Sequence, residues 1–589
     1  MKYLKKAIKY YKATFNGEIQ EKIKRKILIK TGLLKKINFI DTNQIEIKIN
    51  PEFLFKSKII IRENFENKYK IFNKELDLLK KIDWFEGNKN SNLEWFNEKI
   101  GFFKDIKVVW EINRLQFLTY LSLNDRKKEA LVIFEDWIKN NPYNIGINWY
   151  SNLEVAIRSI SIINFLSIIG SEYLEKYKKL IYLHGKHIFQ DINYTEKCIP
   201  NNHLIGEAAT LYCIAHLIEI QEKEEWLNKS KKILKKYLKH LHDDGTYEEA
   251  SLSYHKFVIQ MYLMVWLFSK KTNDNFIENE IENKLKKAYI FLNTLKKPNI
   301  EYPDFGDNDE GFFYKLEIEE TFDSFVKSLG CFLKQEEYFG DIQKLLQIYQ
   351  VENDIKYEKI ENKIFYPEGK YFVYKNKKNY IFIHNQNQEY HSHSDGMTIE
   401  LMLDNKNILV DSGTFNYNID KKKRRYYRGT LSHNTVWIDG DQAEQIGSFR
   451  WINSPDTELE YLEENDKYFV NGMIKKSKNK KHIRKVKFDK NFNEIKIEEE
   501  IYNADNFILN WIFSEEIELK KITEGKYGIN ETDYEIEIFS KENIKIELLR
   551  CNYSTEYNIE KETRKIQIKN QEKKTIYKIT TIFKKRKDL

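Results

Sequence analysis

The feature that most constrains this chain is a change of hydrophobic period near residues 345–365. Before it, apolar residues recur at the three-to-four spacing of helices that face a core. After it they alternate, the period of a strand with one face buried. A chain of 589 residues with both patterns exceeds one compact core, so a helical unit followed by a β unit is expected. Helical runs fall at 107–123, 152–169, 202–220 and 253–269, separated by stop and turn signals at 140–146, 243–249 and 296–311. Helices of this length strung over the region, without a fixed-period repeat, predict helical hairpins packed in an arc or toroid. Short alternating runs such as NYIFIHN, MTIELMLD and NEIKIEEEIYN, divided by charged turns, predict an antiparallel β-sandwich. The expected class is α+β multidomain. A mixed region at 1–100 precedes and packs on an incomplete (α/α) toroid at 101–350, and a β-sandwich follows at 351–589.

Composition removes several functions. The 98 cations and 90 anions leave a net charge of +8, with no helical basic stripe and no nucleic-acid motif. Four cysteines without CxxC spacing argue against a disulfide framework or a thiolate zinc site, and Cys213, inside LYCIAHL, reads as a buried small hydrophobe. No apolar run suits a signal peptide or a membrane span, so the expected location is cytoplasmic, with periplasmic or secreted placement by another route as the alternative. The aromatic share of 14% suits core packing or rings that stack on sugar faces.

Three clusters carry potential chemistry. CIPNNHLIGEAATLY (198–212) ends a loop and begins a helix. Asn201 or Asn202 at that N-terminus can cap it, Asn202 with His203 can receive a carboxylate, and Glu207, one turn on, can orient the imidazole. DDGTYEEASLSYHKF (243–257) brings Tyr247, Tyr254 and His255 to a loop-to-helix transition, where a phenol with suitable neighbours can exchange a proton. EYHSHSDGMTIELMLDNKNILVDSGTFNY (389–417), with RRYYRGTLSHNTVWIDGDQAEQ (424–445), supplies His391, His393, His433, Arg424, Arg425 and Arg428. These histidines are either strand-edge groups bonded to backbone or part of a three-ligand metal site, for which His393, Asp411 and His433 are the candidates. In an ideal hairpin Asp411 would lie roughly 23 Å from His393 at about 3.3 Å per residue, so the metal reading needs HSHSDG to curl back over the sheet. The acidic loop EYPDFGDNDEG, with Asp304, Asp307, Asp309 and Glu310, reads as a solvated inter-helix turn, or else as paired carboxylates for glycoside hydrolysis or calcium ligands.

Together these motifs resemble the heparinase II/III-like family of polysaccharide lyases over most of the chain. KVVWEINRLQF, GINWYSNLEVAIRS, NNHLIGEAA, DDGTYEEASLSYHKF and YPDFGDNDEG look like its helical landmarks, and the HSHSDG…VDSGTFNY and RRYYRGTLSHNT segments look like its β-sandwich signature. The resemblance implies β-elimination on an acidic, uronate-containing polysaccharide. Asn202 and His203 would neutralise the uronate carboxylate, with Tyr254 as acid, base or both and His391 as the second proton-transfer group. Arg158, Glu207 and Arg428 are the candidate substrate-binding residues, with a structural ion pair as the alternative for each arginine. The resemblance also implies a structural divalent ion, zinc in the best match, on His393, Asp411 and His433, beneath His391, and no organic cofactor. The alternatives are a catalytically weak glycan-binding or assembly protein of capsule or lipopolysaccharide biosynthesis, or a hydrolase using the 301–311 carboxylates. If His391 faces substrate while His393 faces a metal, the chain must bend before Met397.

Overall fold

The structure, a computed structural model, describes residues 11–12, 14–38, 40, 45–54, 65–318, 320–359, 361 and 363–586. The helical unit is built from Asn152–Ile169, Ser171–Cys198, Asn202–Leu217, Lys223–Tyr237, Leu252–Thr272 and Glu278–Leu295, flanked by shorter helices. Asn202–Leu217 packs on Asn152–Ile169, Ser171–Cys198, Lys223–Tyr237 and Leu252–Thr272, which makes it the centre of the arc. Its sequence has almost no polar face, as a helix surrounded by others requires. Asn152–Ile169 is long and apolar enough for a membrane span, but 94% of it is buried inside the protein.

The single helix expected over 107–123 is instead two, Ile106–Asn113 and Phe117–Leu123, broken at Leu115 with φ 59°. Tertiary bonds on either side explain the break. The Arg114 guanidinium is held by Glu154 at 2.7 and 2.9 Å, and the Gln116 amide donates to the Phe312 carbonyl at 2.8 Å. Before this point, helix Glu18–Lys30 packs on Ser171–Cys198, and the hairpin Lys68–Ile71/Lys74–Asp77 pairs Lys68 with Asp77.

Two β layers form the second unit. One is an eight-stranded antiparallel sheet running from an edge at Asp456–Glu464 to an edge at Leu519–Thr523. The other joins a five-stranded sheet (residues 365–409) to a four-stranded sheet through the Leu409–Phe513 bridge. The five-stranded sheet decides how the two units dock. Phe372, Ile381, Ile383, Ile399 and Leu401 point into the sandwich core, while Tyr371, Val373, Tyr380, Phe382 and Met402 join the helical core. Alternation places successive side chains on opposite faces, so one sheet serves two cores, and both faces of Thr398–Leu403 are buried. Glu400 lies on the face toward the helices and meets Lys297 there at 2.7 Å, with both side chains buried.

Candidate functional site

The loop from Asp304 to Gly311 is not the solvated turn its composition suggests. Asp307 is fully buried and Asp309 is 4% exposed, because the loop is wedged between the helices and the sandwich. Asp307 is the hub of this region. Arg424 clamps it in a fork, with Nη2 at 2.6 Å from Oδ2. His391 Nδ1 lies 3.0 Å from Oδ2, His393 Nε2 lies 3.1 Å from Oδ1, and the Asp307 amide donates to the His391 carbonyl at 2.7 Å. Burial opposes its charge, but Arg424 and the two histidines outweigh that and hold the carboxyl well below the usual range.

Beside this hub lies a cavity of about 550 Å³ between the two units. Tyr254 and His391 both line it, and their rings stack face to face with centroids 3.5 Å apart and planes 10° from parallel. Tyr254 stands in the first turn of Leu252–Thr272, which Ser251 caps. Its hydroxyl donates to Asp309 Oδ2 at 3.1 Å and lies 3.3 Å from the Tyr417 hydroxyl. Burial and the charges of Asp309 and Asp307 push the Tyr254 phenol well above its ordinary value, so it rests protonated. Asp309 is paired with Lys107 at 2.6 Å; against burial, Lys107 and Arg114 hold its carboxyl down to about 2. His391 Nε2 has no hydrogen bond among the described residues, with Glu249 Oε2 3.6 Å away.

The structure keeps some sequence candidates in the cavity and removes others. His203 lines it, and burial followed by the field of His391 pulls its pKa down to about 4, leaving a neutral imidazole. Asn202 does not line it: its backbone N–H and side-chain amide donate to Glu249 at 2.8 and 2.9 Å, turning it inward. Asn201 takes the cavity position instead and caps the helix by accepting from the His203 amide at 3.1 Å. Glu207 reaches the wall but does not orient His203; Asn152 and Thr195 donate to its carboxyl at 2.7 and 3.0 Å, and burial lifts its pKa to about 8. Arg158 is not at the site. It is buried in the helical core, donates to the Asn148 carbonyl at 2.8 Å and lies against Trp137 and Trp149. Arg428 binds protein too, donating to the carbonyls of Ser448, Tyr390 and Ser392 and so fixing the loop that carries His391.

The bend required before Met397 is present. Met397 has φ 63°, and the Thr398 amide donates to the Asp395 carbonyl at 2.9 Å, so HSHSDG forms a turn before the strand begins. His391 therefore faces the cavity while His393 turns toward His433, with ring centroids 5.3 Å apart. Candidate ligand atoms of His393, Asp395 and His433 lie within 4.8 Å of one another. His393 Nδ1 and His433 Nε2 are buried without a hydrogen bond, and Asp395 Oδ2 has a contact with His384 Nε2 at 3.3 Å, a set of donors that a cation would complete. Asp411 stands on the other side of His433, accepting from its Nδ1 at 2.7 Å. The carboxylate that converges with the two free imidazole nitrogens is thus Asp395, and Asp411 occupies the orienting position. Sequence reasoning did not single out Asp395, Glu249, Tyr417 or Lys107. All four lie inside the quoted motifs, but nothing in their spacing marks which side chains turn inward.

A helical arc docked through a doubly buried sheet onto a β-sandwich, with a tyrosine–histidine pair in the intervening cleft, defines a two-domain architecture with one central site. The chain belongs to the heparinase II/III-like family: residues 5–329 match the family's heparinase II/III N-terminus and residues 361–581 its heparinase II/III-like C-terminal domain. The fold is similar to a crystal structure of heparinase III, with TM-score 0.64 at 16% identity over 97% of this chain and 93% of that one. It is also similar to the heparan sulfate lyase HepC from Pedobacter heparinus, with TM-score 0.55 at 17% identity over 87% and 82%. A search of curated proteins found no match.

Proposed function

We propose that the protein is a polysaccharide lyase that cleaves an acidic, uronate-containing polysaccharide by β-elimination. The observation that carries this reading is the stacked Tyr254–His391 pair on the cavity wall, one member protonated and the other with a free ring nitrogen. β-Elimination needs a base for the C5 proton, an acid for the departing glycosidic oxygen, and a partner for the uronate carboxylate. His391, with Nδ1 engaged by Asp307, offers Nε2 as the base. Tyr254, kept protonated beside Asp309, is the acid; the O4–C4 bond breaks as its proton reaches O4 and the C4–C5 double bond forms. Asn201 and neutral His203, at a helix N-terminus, offer uncharged donors to the carboxylate.

The hydrolase alternative fits poorly. Retaining and inverting hydrolysis both require one protonated carboxyl; Asp309, the loop carboxylate that lines the cleft, is held ionised, and Asp304 and Glu310, which burial pushes up, line the other side of the loop. For the metal reading, His393, Asp395 and His433 would hold a divalent ion whose mixed imidazole and carboxylate donors suit zinc, oriented by Asp411. Such an ion would stiffen the turn that carries His391. Stoichiometric zinc in the purified protein, lost in His393→Ala, is the expected elemental analysis; a metal-free protein with an intact fold would count against it.

The test of function is incubation with a panel of glycosaminoglycans, alginates and bacterial capsular polysaccharides, followed by ultraviolet absorbance and mass of the unsaturated product. Tyr254→Phe is expected to lower turnover by about 10²–10⁴-fold while polysaccharide binding persists. A folded protein that binds these polymers and releases no unsaturated product would overturn the lyase reading.

A further inference from the structure

A second and larger cavity, about 1230 Å³, lies across the 304–311 loop from the cleft. The loop separates the two: Asp309 lines the first cavity, while Asn308 and Glu310 line the second. Its wall holds an arrangement that folding alone does not explain. Lys256 is 4% exposed, yet its ammonium has no ion pair or hydrogen bond among the described residues and rests 3.3 Å over the Phe312 ring. Lys315 is likewise without a carboxylate partner, 5.4 Å from the Phe312 and Tyr69 centroids. Facing them, Glu320 is 6% exposed, and its Oε2 is buried with no hydrogen bond.

An unpaired buried ammonium is costly, and proteins keep one where something else completes its surroundings. Most neighbouring carboxylates are already engaged: Glu111 by Arg114, Glu310 by the Tyr557 amide, Glu400 by Lys297 and Glu515 by Lys561. What remains beside the two lysines is the Glu320 acceptor and aromatic faces from Phe312 and Tyr69; Asp304 lines the cavity too, its carboxyl pushed well up by burial. Burial outweighs the fields of Asp309 and Glu320 and draws the Lys256 ammonium down to about 7, and it outweighs Ser324 and the two lysines in lifting the Glu320 carboxyl to about 7.

We propose that this second cavity binds an acidic saccharide unit, whose carboxylate or sulfate is taken by Lys256 and Lys315 while a ring hydroxyl donates to Glu320. Tyr69 and Phe312 provide the apolar surface for the sugar face. The site is separate from the cleft and does not rest on the lyase reading; it would hold a saccharide even if the cleft performed no chemistry.

Lysine footprinting of the full chain tests it, with reductive methylation read by mass spectrometry. Saturating sodium glucuronate is expected to slow modification of Lys256 and Lys315 several-fold and to leave surface lysines unchanged. The same protection is expected in Tyr254→Phe, which separates this site from the fate of the catalytic one. In calorimetry, Lys256→Met and Lys315→Met should each weaken glucuronate binding, and Glu320→Gln should weaken glucuronate while sparing inorganic sulfate. If the methionine variants fail to fold, footprinting of the unmodified sequence decides. Absence of protection by glucuronate overturns the site, and equal protection by sulfate overturns its assignment to a saccharide.

Discussion

At the scale of single residues, the site turns on Asp307 more than on either histidine. One carboxylate receives His391, His393 and both arms of Arg424, so it fixes the tautomer and tilt of the imidazole proposed as the base. Asp307→Asn keeps the size but removes the charge that holds Nδ1–H. Turnover is expected to fall about 10–100-fold with the Michaelis constant little changed, while Asp307→Glu recovers part of the loss. Steady-state kinetics on the product assay checks this, and an equal loss in both parameters would point to a purely structural role. Residue types were largely legible in the sequence: Tyr254, His391, His393, His433 and the acidic loop all stand out. Their partners were not. Asp307 meets a histidine 84 positions away, and Asn201 and Asn202 differ only in which one the Glu249 carboxylate claims. Spacing along the chain carries no record of either.

At the scale of elements, the bend at Met397 shows where pattern reasoning succeeds and where it stops. Alternation puts residues 391 and 393 on one face, and only the need for two different jobs exposed the bend. A left-handed Met is strained; its amide donates to the His384 carbonyl at 2.7 Å, Arg484 donates to its carbonyl, and its side chain is seated in the sandwich. Met397 fits over Gly472 in the middle of Lys467–Lys475; a Cβ at Gly472 would stand 2.0 Å from the Met397 sulfur. Gly472→Ala is therefore expected to cost about 1–3 kcal/mol in denaturant unfolding and to disturb the histidine turn, because the methionine must leave its seat. The break at Leu115 teaches the same lesson in the helical unit. Its helical pattern is continuous, but the bonds of Arg114 and Gln116 to distant partners outweigh propensity.

For the whole molecule, the change of hydrophobic period marks where helices give way to antiparallel strands, yet it gave no sign that one sheet would serve both cores. That sheet packs on both cores beside the cleft, and the buried Lys297–Glu400 pair ties it to the helical side. Glu400 also accepts from the Asp304 amide at 2.9 Å, so the pair anchors the loop that divides the two cavities. Burial already raises the Glu400 pKa despite the lysine. Lys297→Met removes the compensation and leaves a carboxylate facing an apolar interface, a change expected to cost about 3–5 kcal/mol at neutral pH. The sign with pH follows from linkage. A carboxyl whose folded pKa lies above its unfolded value is most favourable to folding below the unfolded value, and that advantage is lost as pH rises through the folded one. The deficit of Lys297→Met should therefore be smallest near pH 4 and grow toward neutrality. Adding Glu400→Gln, which removes the charge, should recover much of the loss and flatten its pH dependence. Calorimetric unfolding of the parent protein and the two variants across that range tests the pair directly. A deficit independent of pH would mean that packing of the lysine stem matters more than the charge of its ammonium, which lies 5.8 Å from the Tyr380 ring centroid.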